Sequence, residues 1–94
     1  MALGLLTIQI YLPGCSSLKE KRSRLKPLLA RLHREFNVSV AEVDLHDVWK
    51  NTVIAVAMVS NEQDHVQRVL QRLIVWMERS WPDVEVVDDR LEIL

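Results

Sequence analysis

The stretch from residue 16 to residue 43 restricts the fold most, because a capped amphipathic helix runs directly into a strand. Ser17 and Glu20 have the spacing of a capping box, in which each side chain bonds a backbone amide of the first helical turn. Residues 38–45 (VSVAEVDL) follow without a linker and have the pattern of a strand. The helix must therefore pack against the sheet to which that strand belongs. Its apolar residues recur at helical spacing as one stripe, formed by Leu18, Leu25, Leu29, Leu32 and Phe36.

The rest of the chain predicts three further strands and one further helix. Apolar alternation indicates a first strand over residues 3–12, and a run that is apolar on both faces indicates a central strand over residues 52–60. A second helix is expected between a cap at Ser60-Asn61 and the stop at Pro82. Residues 84–94 predict a last strand, with a bulge or turn at the Asp88-Asp89 pair.

The order β-α-β-β-α-β predicts an α+β, ferredoxin-like fold in which residues 1–94 form a single domain. Right-handed crossovers place both helices on one face of a four-stranded antiparallel sheet, with the first and third strands in its centre. The other face stays open and partly apolar, which is typical of a surface that meets a partner. Pro27 lies inside the first helix, opposite its apolar stripe, so we expect either one bent helix or two collinear pieces.

The composition favours a cytosolic protein without a membrane anchor. A single cysteine cannot form an internal disulfide, which suits a reducing compartment. No apolar run reaches the roughly 20 residues that a membrane helix needs. The N-terminal apolar segment also lacks the basic residues that begin a signal peptide. No motif indicates a cofactor, so none is predicted.

A net charge of −1 conceals an uneven distribution along the chain. Residues 1–36 contain seven Lys and Arg against two Glu, whereas residues 37–94 contain five against eleven Asp and Glu. A domain that separates its charge in this way presents two electrically different surfaces. This asymmetry is the strongest functional signal in the sequence.

Three segments resemble motifs of the YlxP-like family of small bacterial proteins of unknown function: residues 17–22 (SLKEKR), 36–43 (FNVSVAEV) and 59–61 (VSN). The similarity covers essentially the whole chain. The resemblance implies a ferredoxin-like fold. Because genes of that family lie among those for transcription–translation and ribosome-maturation factors, it also implies a role near RNA or the ribosome. It implies no reaction and no catalytic residues.

The basic first helix is the main candidate site, for contact with the phosphates of RNA or of a ribosomal particle. Several cations on one surface displace counterions from a nucleic acid, and a helix N-terminus favours an anion. The alternative is a solvated outer face whose Lys and Arg stems cover the edge of the apolar stripe. The candidate residues are Ser17, Lys19, Lys21, Arg22, Arg24, Lys26, Arg31 and Arg34.

Glu42, Asp44 and His46 alternate along the second strand and form a weaker candidate, a divalent metal site. The competing interpretation is that charged residues protect a strand at the edge of the sheet from aggregation. We favour the edge interpretation.

The open sheet face supports two further hypotheses. The third strand contains no aromatic residue on which RNA bases could stack, so base readout there is not expected. An apolar open face suits a homodimer, or more generally a small-ligand or protein-interaction module.

A third class is an acylphosphatase-like hydrolase, since acylphosphatases share this fold and bind phosphate in the loop after the first strand. Their pattern requires an arginine in that loop. Here the loop is Pro13-Gly14-Cys15-Ser16-Ser17, and the nearest arginine is Arg22, inside the helix. We therefore predict a non-enzymatic protein.

Overall fold

The computed structural model describes all residues from Met1 to Leu94 and has the predicted β-α-β-β-α-β order. The strands are antiparallel and lie in the order β2-β3-β1-β4, which confirms that the first and third strands are central. The elements are β1 (Ala2–Tyr11), α1 (Leu18–Phe36), β2 (Ser39–Asp44), β3 (Asn51–Ser60), α2 (Gln63–Ser80) and β4 (Glu85–Ile93).

The core lies between the sheet and the two helices. β1 pairs with β3 along its whole length, from Ala2 opposite Ser60 to Tyr11 opposite Asn51. Alternate residues of β1 point to the helices, and this alternation fills the core because successive strand residues face opposite sides. At Gly4 the approach of α2 is so close that a Cβ atom would clash with the side chain of Val66. The fully buried apolar residues of the two central strands are Leu6, Ile8, Ile10, Ile54 and Val56.

α1 is one continuous helix through Pro27, which decides between the two alternatives predicted for it. Pro27 is exposed, so its missing amide falls on the solvent side of the helix. The buried side of α1 differs from the predicted stripe: Leu28 is fully buried, whereas Leu29 is only half-buried. The core-facing side is therefore rotated relative to the prediction, and Lys21 lies within it.

The helix ends show which predicted caps form. Ser17 is the N-cap of α1, and its hydroxyl accepts a hydrogen bond from the Glu20 amide at 3.0 Å. The Glu20 carboxylate instead accepts from the hydroxyl of Ser16 at 3.4 Å. The predicted cap of α2 at Ser60-Asn61 is wrong, because Glu62 occupies the N-cap position without a side-chain cap bond.

Two bulges interrupt the edge strands. β4 shifts register between Val86 and Asp88, so the bulged residue is Val87, next to the predicted Asp88-Asp89 pair. β2 shifts register between Glu42 and Asp44. Neither helix is long and apolar enough to cross a membrane.

Candidate nucleic-acid interface

Lys21 is buried and cannot contact RNA, which corrects the prediction for this residue. Its side chain is 2% exposed, and Nζ lies 2.9 Å from Oε2 of Glu42. Nζ also donates to the Leu45 carbonyl at 2.6 Å and lies 3.5 Å from the His46 carbonyl. An ammonium has three protons, and three acceptors surround it here. Lys21 therefore ties the β2–β3 loop to α1, at a point where Leu45 has a left-handed φ of 59°.

The burial of Lys21 follows from helical phase. It precedes Leu25 by four residues and Leu28 by seven, so all three lie on one side of α1. A lysine stem can cover apolar surface while its ammonium reaches a polar partner. The sequence shows this spacing, but counting the charges of α1 without asking which side of the helix each residue occupies does not reveal that Lys21 is buried.

Arg24 is also engaged within the protein. Its Nε lies 2.9 Å from Oδ2 of Asp83, and its other nitrogens donate to the Asp83 carbonyl at 2.5 Å and to the Pro13 carbonyl at 2.7 Å. Burial alone would lower the pKa of Arg24, but the hydrogen bond and charge of Asp83 outweigh it and raise that pKa. Arg24 thus joins α1 to the segment before β4, and we remove it from the predicted RNA surface.

The same contacts bear on the acylphosphatase-like alternative. Arg24 reaches the loop after β1, but it donates there to the Pro13 carbonyl and not into open space. A phosphate clamp needs a guanidinium aimed at the anion. Cys15 in this loop is buried, with its thiol near the Ser17 carbonyl. The loop therefore gives the hydrolase alternative no support.

Arg31 is only partly available for contact with RNA, because its guanidinium is engaged within the protein. Its Nε lies 3.0 Å from Oε1 of Glu35, and its guanidinium is 5.6 Å from the centre of the Trp76 ring. Such an exposed pair contributes little to stability, but a cation over an aromatic ring holds the guanidinium in place.

Four predicted cations remain exposed and form no ion pair; we call them the α1 ridge, and they are Lys19, Arg22, Lys26 and Arg34. At about 100° per residue they fall within an arc of roughly 120° on the side of α1 away from the core. The fifteen-residue separation of the first and last gives a ridge about 22 Å long. Ser17 contributes no free group, because its hydroxyl serves as the helix cap.

α2 adds three exposed arginines that the sequence analysis did not select: Arg68, Arg72 and Arg79. None of them forms an ion pair. Their spacing places them on one side of α2, opposite the buried face that contains Val66 and Leu70. Their helical spacing is visible in the sequence. They escaped selection because the net charge of residues 37–94, to which they belong, is negative.

The charge division follows the layers of the fold. The two helices contain ten Lys and Arg against four Asp and Glu, a net charge of +6. The strands and loops contain two against nine, a net charge of −7. The helix layer is therefore basic and the sheet and loops are acidic, a stronger separation than the one seen along the sequence.

Aromatic side chains lie between the two basic helices. The rings of Phe36 and Trp76 meet edge to face, with centroids 5.7 Å apart. Trp81 packs against Trp76 at 6.0 Å. Trp76 and Trp81 are half-buried against the core, whereas Trp49 is 50% exposed.

The weaker candidate, a metal site at Glu42, Asp44 and His46, does not form, because the bulge in β2 places the two carboxylates on opposite faces of the sheet. Glu42 is opposite Ile54 on the helix side, whereas Asp44 is opposite Val53 on the open side. The imidazole of His46 contacts the carbonyl of Glu42, at 3.2 Å from Nε2, and makes no hydrogen bond to its carboxylate. No group of three metal-binding side chains is present.

The Glu42 carboxylate is held instead by Lys21 and by the hydroxyl of Thr52. Burial alone would raise the pKa of Glu42. The hydrogen bonds from Thr52 and Lys21, and the charge of Lys21, outweigh that effect and lower the pKa.

The open face of the sheet is apolar in the centre and charged along β4. On β4, Arg90 lies 2.9 Å from Glu92, and these residues are opposite Thr7 and Leu5. Tyr11 is the only aromatic residue on the central strands, so this face has no platform for stacked bases. Its central side chains, half-buried or exposed, are those of Leu3, Leu5, Thr7, Val53, Ala55, Ala57 and Val59.

Comparison with known proteins gives a family and a fold. A family model described as "Protein of unknown function (DUF503)" matches residues 3–90. The chain is 33% identical over 90 residues to the uncharacterized protein YlxP of Bacillus subtilis (strain 168), covering 96% of this chain and 97% of that protein.

Two de novo designed proteins are similar in structure. LFR1 1, described as having a ferredoxin fold, gives a TM-score of 0.56 at 8% identity, over 100% of this chain and 84% of that one. Foldit4 gives 0.53 at 11% identity, over 100% and 97%. At these identities the structural neighbours establish the fold alone, which is the predicted ferredoxin-like one.

Proposed function

The chain belongs to the DUF503 family, which includes the YlxP-like proteins, and we propose that it is a non-catalytic, cytoplasmic RNA-binding protein that docks through its helix layer. The observation that carries this proposal is the set of exposed cations without ion-pair partners, four on the α1 ridge and three on α2. Each cation that meets a phosphate releases condensed counterions, which drives binding. The target class is ribosomal RNA, free or within a ribosomal particle.

The distribution of the acidic residues supports this orientation. The helix layer carries a net charge of +6 and the remainder −7, so a polyanion is attracted to one side and repelled by the other. Three cations of the predicted site, Lys21, Arg24 and Arg31, pair with carboxylates of the protein. The helix layer still offers seven exposed cations without an ion pair, because α2 adds Arg68, Arg72 and Arg79.

Titration of ribosomal RNA at several salt concentrations tests the proposal. If four to seven cations engage phosphates, the logarithm of affinity should fall with the logarithm of salt concentration with a slope of about −3 to −6. Affinity should then drop by about two to three and a half orders of magnitude between 50 and 200 mM salt. Absence of binding even at the lowest salt would reject the proposal.

We also propose that two copies of the chain pair through the open sheet face. Its centre combines Leu3, Leu5 and Val53 with the small side chains of Ala55 and Ala57, and monomeric proteins rarely leave such a contiguous apolar patch exposed. A two-fold interface places the same patch on both partners, and this pairing leaves the basic helix layers on the two outer sides.

Sedimentation at micromolar concentration should therefore give the mass of two chains. Replacement of Ala55 with glutamate introduces two like charges at the centre of the interface, and it should give a folded monomer. A wild-type protein that sediments with the mass of one chain would contradict the dimer and leave the RNA proposal unaffected.

A further inference from the structure

A cleft of about 280 Å³ lies at the C-terminal end of α1, between that helix and the first half of α2. The end of β3 closes it from below. Its lining mixes apolar and polar side chains, chiefly Phe36, Met58 and Val69 with Asn37, His65 and Arg72.

The dimensions of the cleft suit a single nucleoside. Sites that enclose a drug-sized ligand measure about 300–1,000 Å³, so this cleft falls just below that range. His65 and Arg72 are seven residues apart on α2 and line it over two turns, or about 10 Å. A flat ring system with its sugar would fill a volume of this size, whereas a longer ligand would extend out of the cleft.

The chemistry of the lining matches a base with its phosphate. Phe36 and the Arg72 guanidinium are planar groups of the kind on which unpaired bases stack. The side-chain amide of Asn37 carries donors and an acceptor for the edge of a base. The free guanidinium of Arg72 can also reach an adjacent phosphate.

One carboxylate also lines the cleft, and its charge is balanced. The Glu35 carboxylate accepts a hydrogen bond from Nε of Arg31 at 3.0 Å. The ion pair has no net charge and therefore does not repel an anionic ligand. The cleft is continuous with the basic helix layer, since Arg72 belongs to both.

We infer that this cleft binds one unstacked nucleobase. Because this rests on the proposed function, the RNA must be single-stranded where it crosses the cleft. The α1 ridge and the α2 arginines then hold the flanking phosphates. A duplex can contact the same cations but cannot place a base in the cleft, because its bases are stacked and paired.

The test compares an unpaired RNA with a blunt duplex of the same length, using Arg72→Gln and Arg68→Gln variants of the full chain. Both arginines are exposed and one turn apart, and both substitutions remove one charge, but only Arg72 lines the cleft. Both variants should weaken duplex binding by the same few-fold factor, through one lost phosphate contact. Arg72→Gln should weaken single-strand binding about tenfold more than Arg68→Gln, because it also removes the planar guanidinium that contacts the unpaired base.

Photo-crosslinking of wild-type protein to an unpaired RNA that carries 5-iodouracil locates the base directly. Crosslinks should map to the tryptic peptides 35–50, 51–68 and 69–72, which contain Phe36, Met58, His65 and Val69. Equal effects of the two arginine variants on both RNAs, or crosslinks only outside these peptides, would overturn the inference and leave the proposed function standing.

Uridine monophosphate serves as the second probe. If it displaced the unpaired RNA at micromolar concentration, the cleft would belong to free nucleotides and the RNA assignment would be overturned. Failure of both RNAs to bind at any salt concentration would overturn the proposed function together with the inference.

Discussion

Replacing Lys21 with methionine should lower the free energy of unfolding by about 2–4 kcal/mol, a large loss for a charged residue of a helix. Removal of one partner of a buried ion pair typically costs about 3–5 kcal/mol, because the other charge stays buried without compensation. Here Glu42 remains 21% exposed, so solvent offsets part of the loss. The Leu45 carbonyl also loses its donor. For a domain of this size the midpoint of thermal unfolding should fall by roughly 10–20 °C.

Urea denaturation of three variants distinguishes the contribution of the Lys21–Glu42 ion pair to stability from the general effect of replacing a lysine. Lys19→Met removes an exposed charge from the same helix and should change stability by less than about 0.5 kcal/mol. Glu42→Gln in the Lys21→Met background removes the unpaired charge and should recover part of the loss. Equal stability of the Lys21→Met and Lys19→Met proteins would contradict the structural role assigned to Lys21.

The pH dependence of stability gives the same pair a second signature. The pKa of Glu42 is lowered in the folded protein, so its stabilising effect is fully present above the usual glutamate pKa of about 4.3. That effect is lost as pH falls through the lowered pKa of the folded state. Stability of the wild-type protein should therefore decline more steeply below about pH 5 than that of Glu42→Gln.

The sequence predicted the architecture because local periodicity decides it. Alternation in the first strand, the unbroken apolar run in the third and two helical stripes determine a β-α-β-β-α-β order, and few topologies accommodate that order. The errors lie where one residue changes the outcome. The bulge between Glu42 and Asp44 inverts the end of β2, and no local signal distinguishes it from regular alternation.

The candidate site was less predictable, because the number of cations in a helix does not show how many of them are exposed and free of ion pairs in the folded protein. Lys21 could have been recognised as buried from its phase with Leu25 and Leu28. The pairing of Arg24 with Asp83 could not, since the partners are 59 residues apart and meet only in the folded chain. Summing charge along the sequence also separated the arginines of α2 from the α1 ridge, although the fold places both helices on the same side of the sheet.

Reversing two charges on the α1 ridge should weaken RNA binding by at least about 30-fold at low salt and reduce the salt slope by about two. The variant is Lys19→Glu with Lys26→Glu, which lie on the same side of α1 and are both exposed. Each substitution removes a phosphate contact and adds repulsion. The helix itself should remain stable, because a glutamate at position 19, in the first turn, interacts favourably with the helix dipole, and position 26 is exposed.

The chain offers a matched control, since Lys50 and Arg90 are the two cations outside the helices. Lys50→Glu with Arg90→Glu changes the net charge by the same −4 as the ridge variant. Within one chain it disturbs an exposed pair between Arg90 and Glu92. Because this pair lies on the open sheet face, RNA binding of the two variants is compared after sedimentation has shown that both have the same mass. If net charge alone governed binding, the two variants would lose affinity equally. If binding requires cations on the helix layer, the control should lose less than about threefold, because beyond a Debye length of about 8–10 Å a surface charge contributes little. Equal losses would therefore exclude the helix layer as the docking surface.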